Sequence, residues 1–281
     1  MSRWITASAT TLENTFNNAV EMDSDLSGWS VSKVATLGST FKGALKYTGA
    51  GLVSWDTASV TTLEHTFNGA KEMNSDLSAW NVAKVKTLDV TFYGASKFAG
   101  VGLASWDTAS VTNLYRTFRN ARKMNSDLSG WNVAKVETLV GTFYGASKFA
   151  GTGLANWNVA TVNSMSNTFD GATALESCTK HRIALAWADN TAFQATDYDN
   201  KDWASEKCLP QTDAEFKRAS WDWVQDATTA THKWGDIGDW DVSGVKDFSY
   251  AFAKNRDQIL GKRGSDAENG NPKAATFVGT D

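Results

Sequence analysis

Hydrophobic positions return with a fixed period along the first 172 residues. Tryptophan recurs in steps of 25, 26, 25, 26, 25 and 26 residues, and a phenylalanine follows each tryptophan twelve residues later. The alternating step makes the larger unit 51 residues long, and residues 55–105 and 106–156 differ at 13 of 51 positions. Such a period is typical of a repeat protein, whose coils bury their apolar faces only against their neighbours. The tryptophans are Trp4, Trp29, Trp55, Trp80, Trp106, Trp131 and Trp157.

Around each tryptophan the pattern predicts a short strand. Leu77, Trp80 and Val82 have the spacing of a leucine-rich-repeat strand, and alternation places Trp80 and Val82 on one inward face. The residue between those two then points outward, and it is small and polar in successive coils. We predict that these outward residues form a face suited to hydrogen bonding with a protein or glycan. They are Ser30, Asp56, Asn81, Asp107, Asn132 and Asn158.

A helical period follows each predicted strand. Val85, Leu88, Phe92 and Ala95 are spaced by 3, 4 and 3 residues, which is one stripe of a short helix. Only glycine or asparagine stands fourteen residues after each tryptophan, as expected where a helix ends in a left-handed residue. The predicted fold is therefore an α/β repeat solenoid, leucine-rich-repeat-like, with one short parallel strand and one short helix per coil of 25 or 26 residues.

A threonine precedes each repeat phenylalanine, as Thr91 precedes Phe92. Its hydroxyl can bond back to a backbone carbonyl of the same segment. A regular threonine row can also order water, as in ice-binding proteins, and we favour the first interpretation.

The pattern divides the chain into three parts. Residues 1–172 are predicted to form a seven-coil solenoid, which begins in mid-repeat, so we expect an incomplete amino terminus. Residues 173–260 are predicted to form a mostly helical cap containing one further repeat at 237–253, although a separate functional module is an alternative. Residues 261–281 read as a polar tail.

Composition excludes several classes of partner. The net charge is −4 with no basic stripe, which disfavours nucleic acid, and no apolar run is long enough to span a membrane. The histidines His65, His181 and His232 are isolated in sequence, so we predict no metal, no cofactor and no catalytic residue, although a site assembled in space stays open. Cys178 and Cys208 are either two thiols or one disulfide.

Two acidic groups invite a metal interpretation that we do not favour. The stretch 197–202 faintly resembles a calcium loop, but Lys201 occupies a ligand position. Asp25, Asp76 and Asp127 recur only in alternate coils, too far apart to share an ion, so turn roles are predicted for them.

The repeat resembles that of the BspA-like surface proteins. The resemblance rests on Asp76, Leu77, Trp80, Val82 and the residues that continue the motif, and it covers residues 1–172 with one further copy near 237–252. This chain departs from that pattern by carrying threonine where methionine commonly precedes the phenylalanine. The resemblance implies a solenoid on a cell surface or secreted, associated with adhesion, and no catalytic residues.

We therefore expect a non-enzymatic module that presents a binding or adhesion surface to a protein or glycan. The alternative is a structural or scaffold subunit of a larger assembly, anchored by cap aromatics such as Trp203, Trp221 and Trp234, which could equally fill the core of the cap. The expected location is extracellular or at the cell surface. The lumen or surface of an organelle is the alternative that fits an assembly subunit.

Overall fold

The computed structural model of the protein describes residues 4–198, 203–204, 213–234, 237–240 and 242–252. The predictions for Cys208, for most of the loop at 197–202 and for the tail at 261–281 lie outside these residues, as does the side chain of His232.

The tryptophans and phenylalanines of the repeat form the core of the coils. Six of the seven tryptophans are at most 4% exposed, and all seven phenylalanines are at most 6% exposed. The phenylalanines stack in one continuous column with ring centroids 5.5–5.7 Å apart. Trp4 is 59% exposed because a coil covers it on one side only. The inward assignment is therefore confirmed for six tryptophans and wrong for the first.

Successive coils are joined along one segment by backbone hydrogen bonds. Parallel bridges pair the seventh residue after each tryptophan with its equivalent in the next coil. From there, alternate N–H groups donate to carbonyls one coil on, as Val90 does to Tyr115 at 2.8 Å. We call this segment, the seventh to fourteenth residues after each tryptophan, the ladder. The bridged residues are Thr11, Thr36, Thr62, Thr87, Asn113, Thr138 and Ser164.

The ladder occupies the segment for which the sequence predicts a helix, and that prediction is wrong. The N–H of Thr91 bonds to the carbonyl of Leu88, and that of Ala95 bonds to Phe92. The segment is thus a series of tight turns closed three residues back, while the intervening N–H groups point to the next coil. Leu88, Phe92 and Ala95 still face inward at 0% exposure, because such turns reproduce the 3-4-3 spacing.

The strand predicted around each tryptophan is also absent from the described coils. The N–H of Trp80 closes a turn on the carbonyl of Leu77. Just after it, the Asn81 carboxamide oxygen accepts the N–H of Ala83 and holds a second turn. Parallel pairing therefore begins only at Thr87, within the ladder. The leucine-rich-repeat-like classification of this coil stack stays a prediction.

Left-handed backbone occurs where the sequence predicts it. The residue fourteen positions after each tryptophan has φ between 58° and 74° in all seven coils, although it ends a run of turns and not a helix. The residues are Asn18, Gly43, Gly69, Gly94, Asn120, Gly145 and Gly171.

Every second return loop contains a short 3-10 helix preceded by a left-handed glycine. Gly102 has a φ of 92°, and a Cβ added there would lie 2.2 Å from the backbone nitrogen of Ser78 in the previous coil. Only glycine lets the two backbones approach this closely. The three helices are Leu52–Ser54, Leu103–Ser105 and Leu154–Asn156.

Helix α1, Ser177–Trp187, covers the last coil. Its Trp187 stacks on Trp157 with ring centroids 6.3 Å apart, and its indole N–H donates to the Leu154 carbonyl at 3.2 Å. Each repeat tryptophan from Trp55 to Trp157 makes the same kind of bond to a leucine carbonyl of the preceding coil. The helix thus supplies the tryptophan that a further coil would have contributed.

Helix α2, Thr191–Gln194, completes this closure. The carboxamide of Asn190 donates to the carbonyls of Val159 and Val162 at 2.8 and 2.9 Å, and its oxygen caps α2 by accepting the Phe193 N–H at 2.9 Å. One buried side chain therefore satisfies two carbonyls of the last coil and starts the next helix.

A second hydrophobic cluster combines helix α3, Asp213–Gln225, helix α4, Ala227–Trp234, and the segment 237–252. That segment repeats the turns of a coil, since the N–H of Trp240 bonds to the carbonyl three residues back. Tyr250, ten residues after Trp240, has a φ of 58°. The segment opens with a 3-10 helix, Ile237–Asp239.

Among the described residues, no helix has the length and apolar character needed to cross a membrane.

Candidate binding face

The outward polar residues beside the tryptophans, here called the polar row, are all exposed. Five of them accept the N–H of the residue two positions on at 3.1 Å, through a side-chain oxygen. Ser30 instead donates its own N–H to Thr6 Oγ1 at 2.8 Å. The polar row thus holds turns of its own chain, and its role in binding stays a prediction. Its members are Ser30, Asp56, Asn81, Asp107, Asn132 and Asn158.

Three further aspartates hold turns in the same way. Asp25, Asp76 and Asp127 each accept the N–H two residues on at 2.8 Å, which confirms the turn role predicted for them. The hydrogen bond from the Ser27 N–H lowers the pKa of the Asp25 carboxyl, and the equivalent bond from Ser78 lowers the pKa of Asp76.

Six of the seven threonines that precede a repeat phenylalanine lie inside the stack, and Thr15 in the first coil is exposed. Thr66 Oγ1 donates to the carbonyl of Leu63 at 2.7 Å and to that of Leu37, one coil back, at 2.9 Å. The predicted bond back to the chain is confirmed, and a water-ordering row at these positions is wrong, since the hydroxyls do not reach solvent. The threonines at 0% exposure are Thr40, Thr66, Thr91, Thr117, Thr142 and Thr168.

A different face of the stack carries the variation between coils. We call it the ladder face, made by the side chains nine, ten and thirteen residues after each tryptophan. Between units 55–105 and 106–156, five of its six positions differ, against eight of the other 45. The polar row is identical in the two units. The five differing pairs are Glu64/Tyr115, His65/Arg116, Asn68/Arg119, Asp89/Val140 and Val90/Gly141.

The middle of the three ladder-face residues in each coil has a left-handed backbone conformation. The residue ten positions after the tryptophan has φ between 50° and 60° in all seven coils, even where it is the β-branched Val90. Because L-residues adopt this conformation at a cost, the fold and not the residue type imposes it here. The seven residues are Asn14, Ser39, His65, Val90, Arg116, Gly141 and Asn167.

Arginine and tyrosine side chains form two stacked cation–π pairs on the ladder face. The Arg119 guanidinium lies 3.8 Å from the centre of the Tyr144 ring one coil on, and that of Arg116 lies 4.6 Å from the Tyr115 ring. Stacking orients both guanidinium groups. The Nε atoms of both arginines are buried and make no hydrogen bond to any described residue.

One coil pair brings three metal-ligating residue types together on the same face. One ligand atom from each of Glu64, His65 and Asp89 lies within 4.8 Å of the others. Burial raises the pKa of the Asp89 carboxyl, the neighbouring His65 and Arg116 oppose that rise, and Glu64 adds to it. Sequence reasoning treated His65 as an isolated surface residue. The 25-residue step from Glu64 to Asp89, the step between adjacent coils, is the signal that could have placed them side by side.

Three clefts in the described part of the chain lie around the closing helices. The first, of about 540 Å³, lies between α1 and the loop at Gly151, and Arg182 is its one titratable lining residue. The second, of about 690 Å³, has Asp189 as its one titratable group. The third, of about 310 Å³, holds Asp170, Asp197 and Tyr198. The Tyr198 hydroxyl donates a hydrogen bond to the Asp170 carboxylate. Burial, together with that carboxylate, raises the pKa of the Tyr198 hydroxyl.

Two of the three cap aromatics proposed as anchors lie in the core. Trp203 is 8% exposed and Trp234 is 3% exposed, so the anchor interpretation is wrong for both. The alternative that they fill the core of the cap is confirmed for Trp234, which lies in the second cluster, whereas Trp203 packs against Phe169 of the stack. Trp221 is half-buried.

Cys178 lies in α1, half-buried against the second cluster, and is not a free thiol. Its predicted pairing with Cys208 stays a prediction, because Cys208 lies outside the described part of the chain.

Comparison with known proteins gives one family. A family model described as "Mycoplasma protein of unknown function, DUF285" matches residues 1–101 and 80–182, which together span the coil stack and the start of α1. No curated protein and no solved structure matches the chain.

Proposed function

The chain belongs to the DUF285 family, and from the chemistry of its ladder face we propose that it is a non-enzymatic module that binds a protein or glycan partner. The observation that carries this proposal is the unequal divergence between the two 51-residue units. Five of six ladder-face positions differ, while the inward residues and the polar row are shared. Side chains needed only for folding have no reason to diverge so much more on one face than elsewhere, so we infer that this face is the part of the coil adapted to partners.

The residues on this face support the same proposal. Tyr93, Tyr115 and Tyr144 are half-exposed, and arginines stack on two of these rings. Tyrosine and arginine are enriched at the energetic centres of interfaces, because they combine a broad apolar surface with directional donors. This assignment moves the proposed binding surface from the polar row, whose oxygens hold turns, to the ladder face.

The two larger clefts give no support to an enzyme, since each contains a single titratable residue. The third contains Asp170, Asp197 and Tyr198, and the tyrosine there is bound to the Asp170 carboxylate. General acid–base chemistry needs an acid and a base that converge on one substrate atom.

The second candidate function is a structural subunit of a larger assembly. Phe248 and Tyr250 in the segment 237–252 are 50% and 48% exposed, which is unusual for neighbouring aromatics and fits a contact surface. A single monomeric species on size-exclusion chromatography, soluble at high concentration, speaks against an obligate subunit.

The resemblance to BspA-like surface proteins, and with it a secreted or cell-surface location and an adhesive role, belongs to this proposal as well. The matched family has no known function from which these could be transferred.

The experiment that tests the proposal compares the two faces directly. The unaltered chain, a ladder-face variant with Tyr93→Ser and Tyr144→Ser, and a polar-row variant with Asn81→Ser and Asn132→Ser are screened on arrays of glycans and of extracellular proteins. We expect a saturable ligand for the unaltered chain that the polar-row variant retains and the ladder-face variant loses. Retention by the ladder-face variant together with loss by the polar-row variant would return the binding face to the polar row.

A further inference from the structure

We propose that the ladder face carries a site for one divalent transition-metal ion with the coordination chemistry of Zn²⁺, formed by Glu64, His65 and Asp89. This inference goes beyond the proposed function, because binding of a free ion needs no macromolecular partner.

The backbone fixes the three residues relative to one another. Glu64 and Asp89 occupy the same position in adjacent coils, and the N–H of His65 donates to the carbonyl of Asp89 at 2.9 Å. The His65 Nε2 atom lies 3.8 Å from a Glu64 carboxylate oxygen, and all three ligand atoms fall within 4.8 Å of one another. Ligands of a tetrahedral ion held at about 2.0–2.2 Å lie closer together than this, so the three side chains must rotate toward one another to close the site.

Asp89 supplies an independent observation that points to a ligand. Its Oδ1 atom is buried and has no hydrogen-bond partner among the described residues. The Asp89 side chain as a whole is half-buried, but a buried carboxylate oxygen without a partner is costly. A cation bound to that oxygen would satisfy it.

A neighbouring amide can orient the imidazole. The Asn68 side-chain nitrogen lies 3.0 Å from His65 Nδ1. Turning this amide by 180° puts its oxygen there instead, so that Asn68 accepts the Nδ1–H and leaves Nε2 as the free ligand atom, facing Glu64. Histidines that bind metals ordinarily have such a second partner, which fixes the tautomer.

The donor set selects the class of ion. One imidazole and two carboxylates suit Zn²⁺ and its neighbours in the first transition series, whereas Ca²⁺ and Mg²⁺ favour oxygen ligands alone. Three protein ligands leave a coordination position open to water. Arg116 faces Asp89 closely enough to lower its pKa, so its positive charge opposes the ion. We therefore expect weaker binding than at a closed structural zinc site.

The chain contains its own matched control. In the second unit, Tyr115, Arg116 and Val140 occupy the positions of Glu64, His65 and Asp89 in coils that are otherwise nearly identical. A triple variant with Glu64→Tyr, His65→Arg and Asp89→Val therefore installs side chains that this fold already carries one unit further on.

The test is titration of the metal-free full chain with Zn²⁺ by isothermal calorimetry, together with the visible absorption of the Co²⁺ form. Near neutral pH we expect one Zn²⁺ per chain, and Co²⁺ bands without thiolate charge transfer. The triple variant should lose the site, and the isosteric Asp89→Asn should bind at least about tenfold more weakly. The control His181→Gln, on α1, should bind as the unaltered chain does.

Absence of saturable Zn²⁺ binding by the unaltered chain would overturn the proposal, as would equal binding by the triple variant. Loss of binding in His181→Gln, or thiolate bands in the Co²⁺ form, would place the ion elsewhere and overturn it too. None of these readouts involves a partner, so the metal site and the proposed binding function stand or fail separately.

Discussion

At the scale of single residues, the stack is held by side chains that reach across coils. The indole N–H of Trp80 donates to the Leu52 carbonyl at 2.9 Å, and its ring stacks on Trp55. The hydroxyl of Thr66 joins carbonyls of two coils. Trp80 and Thr66 therefore contribute burial together with a hydrogen bond to the preceding coil.

The stability lost when a repeat tryptophan is truncated should depend on the place of that tryptophan in the stack. We expect Trp80→Ala, which removes a 3% exposed ring covered on both sides, to lower the free energy of unfolding by about 3–5 kcal/mol. Trp4→Ala removes a 59% exposed ring and should cost much less. Urea denaturation followed by fluorescence measures both values, and equal losses would contradict the burial gradient.

The buried hydroxyl can be tested separately from the buried volume. Thr66→Val keeps the shape of the side chain and removes the one hydroxyl hydrogen that the two carbonyls share, so we expect a loss of about 1 kcal/mol in the free energy of unfolding. Thr62→Val changes an only half-buried threonine in the same coil and serves as the control. A neutral or stabilising Thr66→Val in urea denaturation would show that the inter-coil hydroxyl bonds contribute nothing.

At the scale of elements, the return loops let coils approach through glycine. Gly102 has a left-handed φ and no room for a Cβ. Gly130 is not left-handed, and a Cβ added there would lie 3.2 Å from its nearest neighbour, a backbone carbonyl oxygen. Ala79 occupies the position of Gly130 in the preceding unit, which shows that the fold accepts a methyl group there.

We expect the same substitution, glycine to alanine, to have a large effect on stability at Gly102 and a small one at Gly130. Gly102→Ala should lower the free energy of unfolding by more than about 2 kcal/mol, because strain and backbone overlap add together. Gly130→Ala should change it by less than about 1 kcal/mol. Thermal and urea unfolding of the two variants measure the difference. A tolerated Gly102→Ala would mean that neighbouring coils are not as close as described.

The elements also show which features the sequence could predict. Burial followed from spacing, so Leu88, Phe92 and Ala95 were placed inward correctly. The helix prediction was wrong because a 3-4-3 spacing shows only which side chains share a face. It does not show which carbonyl each backbone N–H bonds to. The left-handed Val90 could not be anticipated, since no propensity favours valine there. The ladder face depends on the alignment of adjacent coils, which brings Glu64 beside Asp89 and which the spacing within one coil does not reveal.

At the scale of the whole molecule, the stack and the second cluster differ in how they are held. Asp213, at the start of α3, accepts the N–H groups of Lys246 and Asp247 at 2.6 and 2.9 Å and so ties α3 to the segment 237–252. These bonds lower the pKa of the Asp213 carboxyl, and a bond from Lys217 lowers that of Asp247.

Acid should therefore loosen the second cluster. A carboxyl whose pKa is lowered by folding contributes stability above its ordinary value of 3.8, and that stability is lost as the pH falls through the lower folded value. We expect Asp213→Ala to lower the melting temperature of the cluster at pH 7, with the difference from the unaltered chain closing toward pH 2. Near-UV circular dichroism during heating measures it. A difference independent of pH would mean that the carboxylate charge plays no part.

The central claim is that the inward residues of each coil stabilise the fold, and that folding does not depend on which side chains stand on the ladder face. The most direct test exchanges ladder residues of the first unit for those of the second, with Thr62→Asn, Glu64→Tyr, His65→Arg and Asn68→Arg in one variant, and measures its free energy of unfolding in urea. We predict a value within about 1 kcal/mol of the unaltered chain, since all four side chains already stand at these positions one unit on. A loss of several kcal/mol, comparable to that of Trp80→Ala, would contradict the claim.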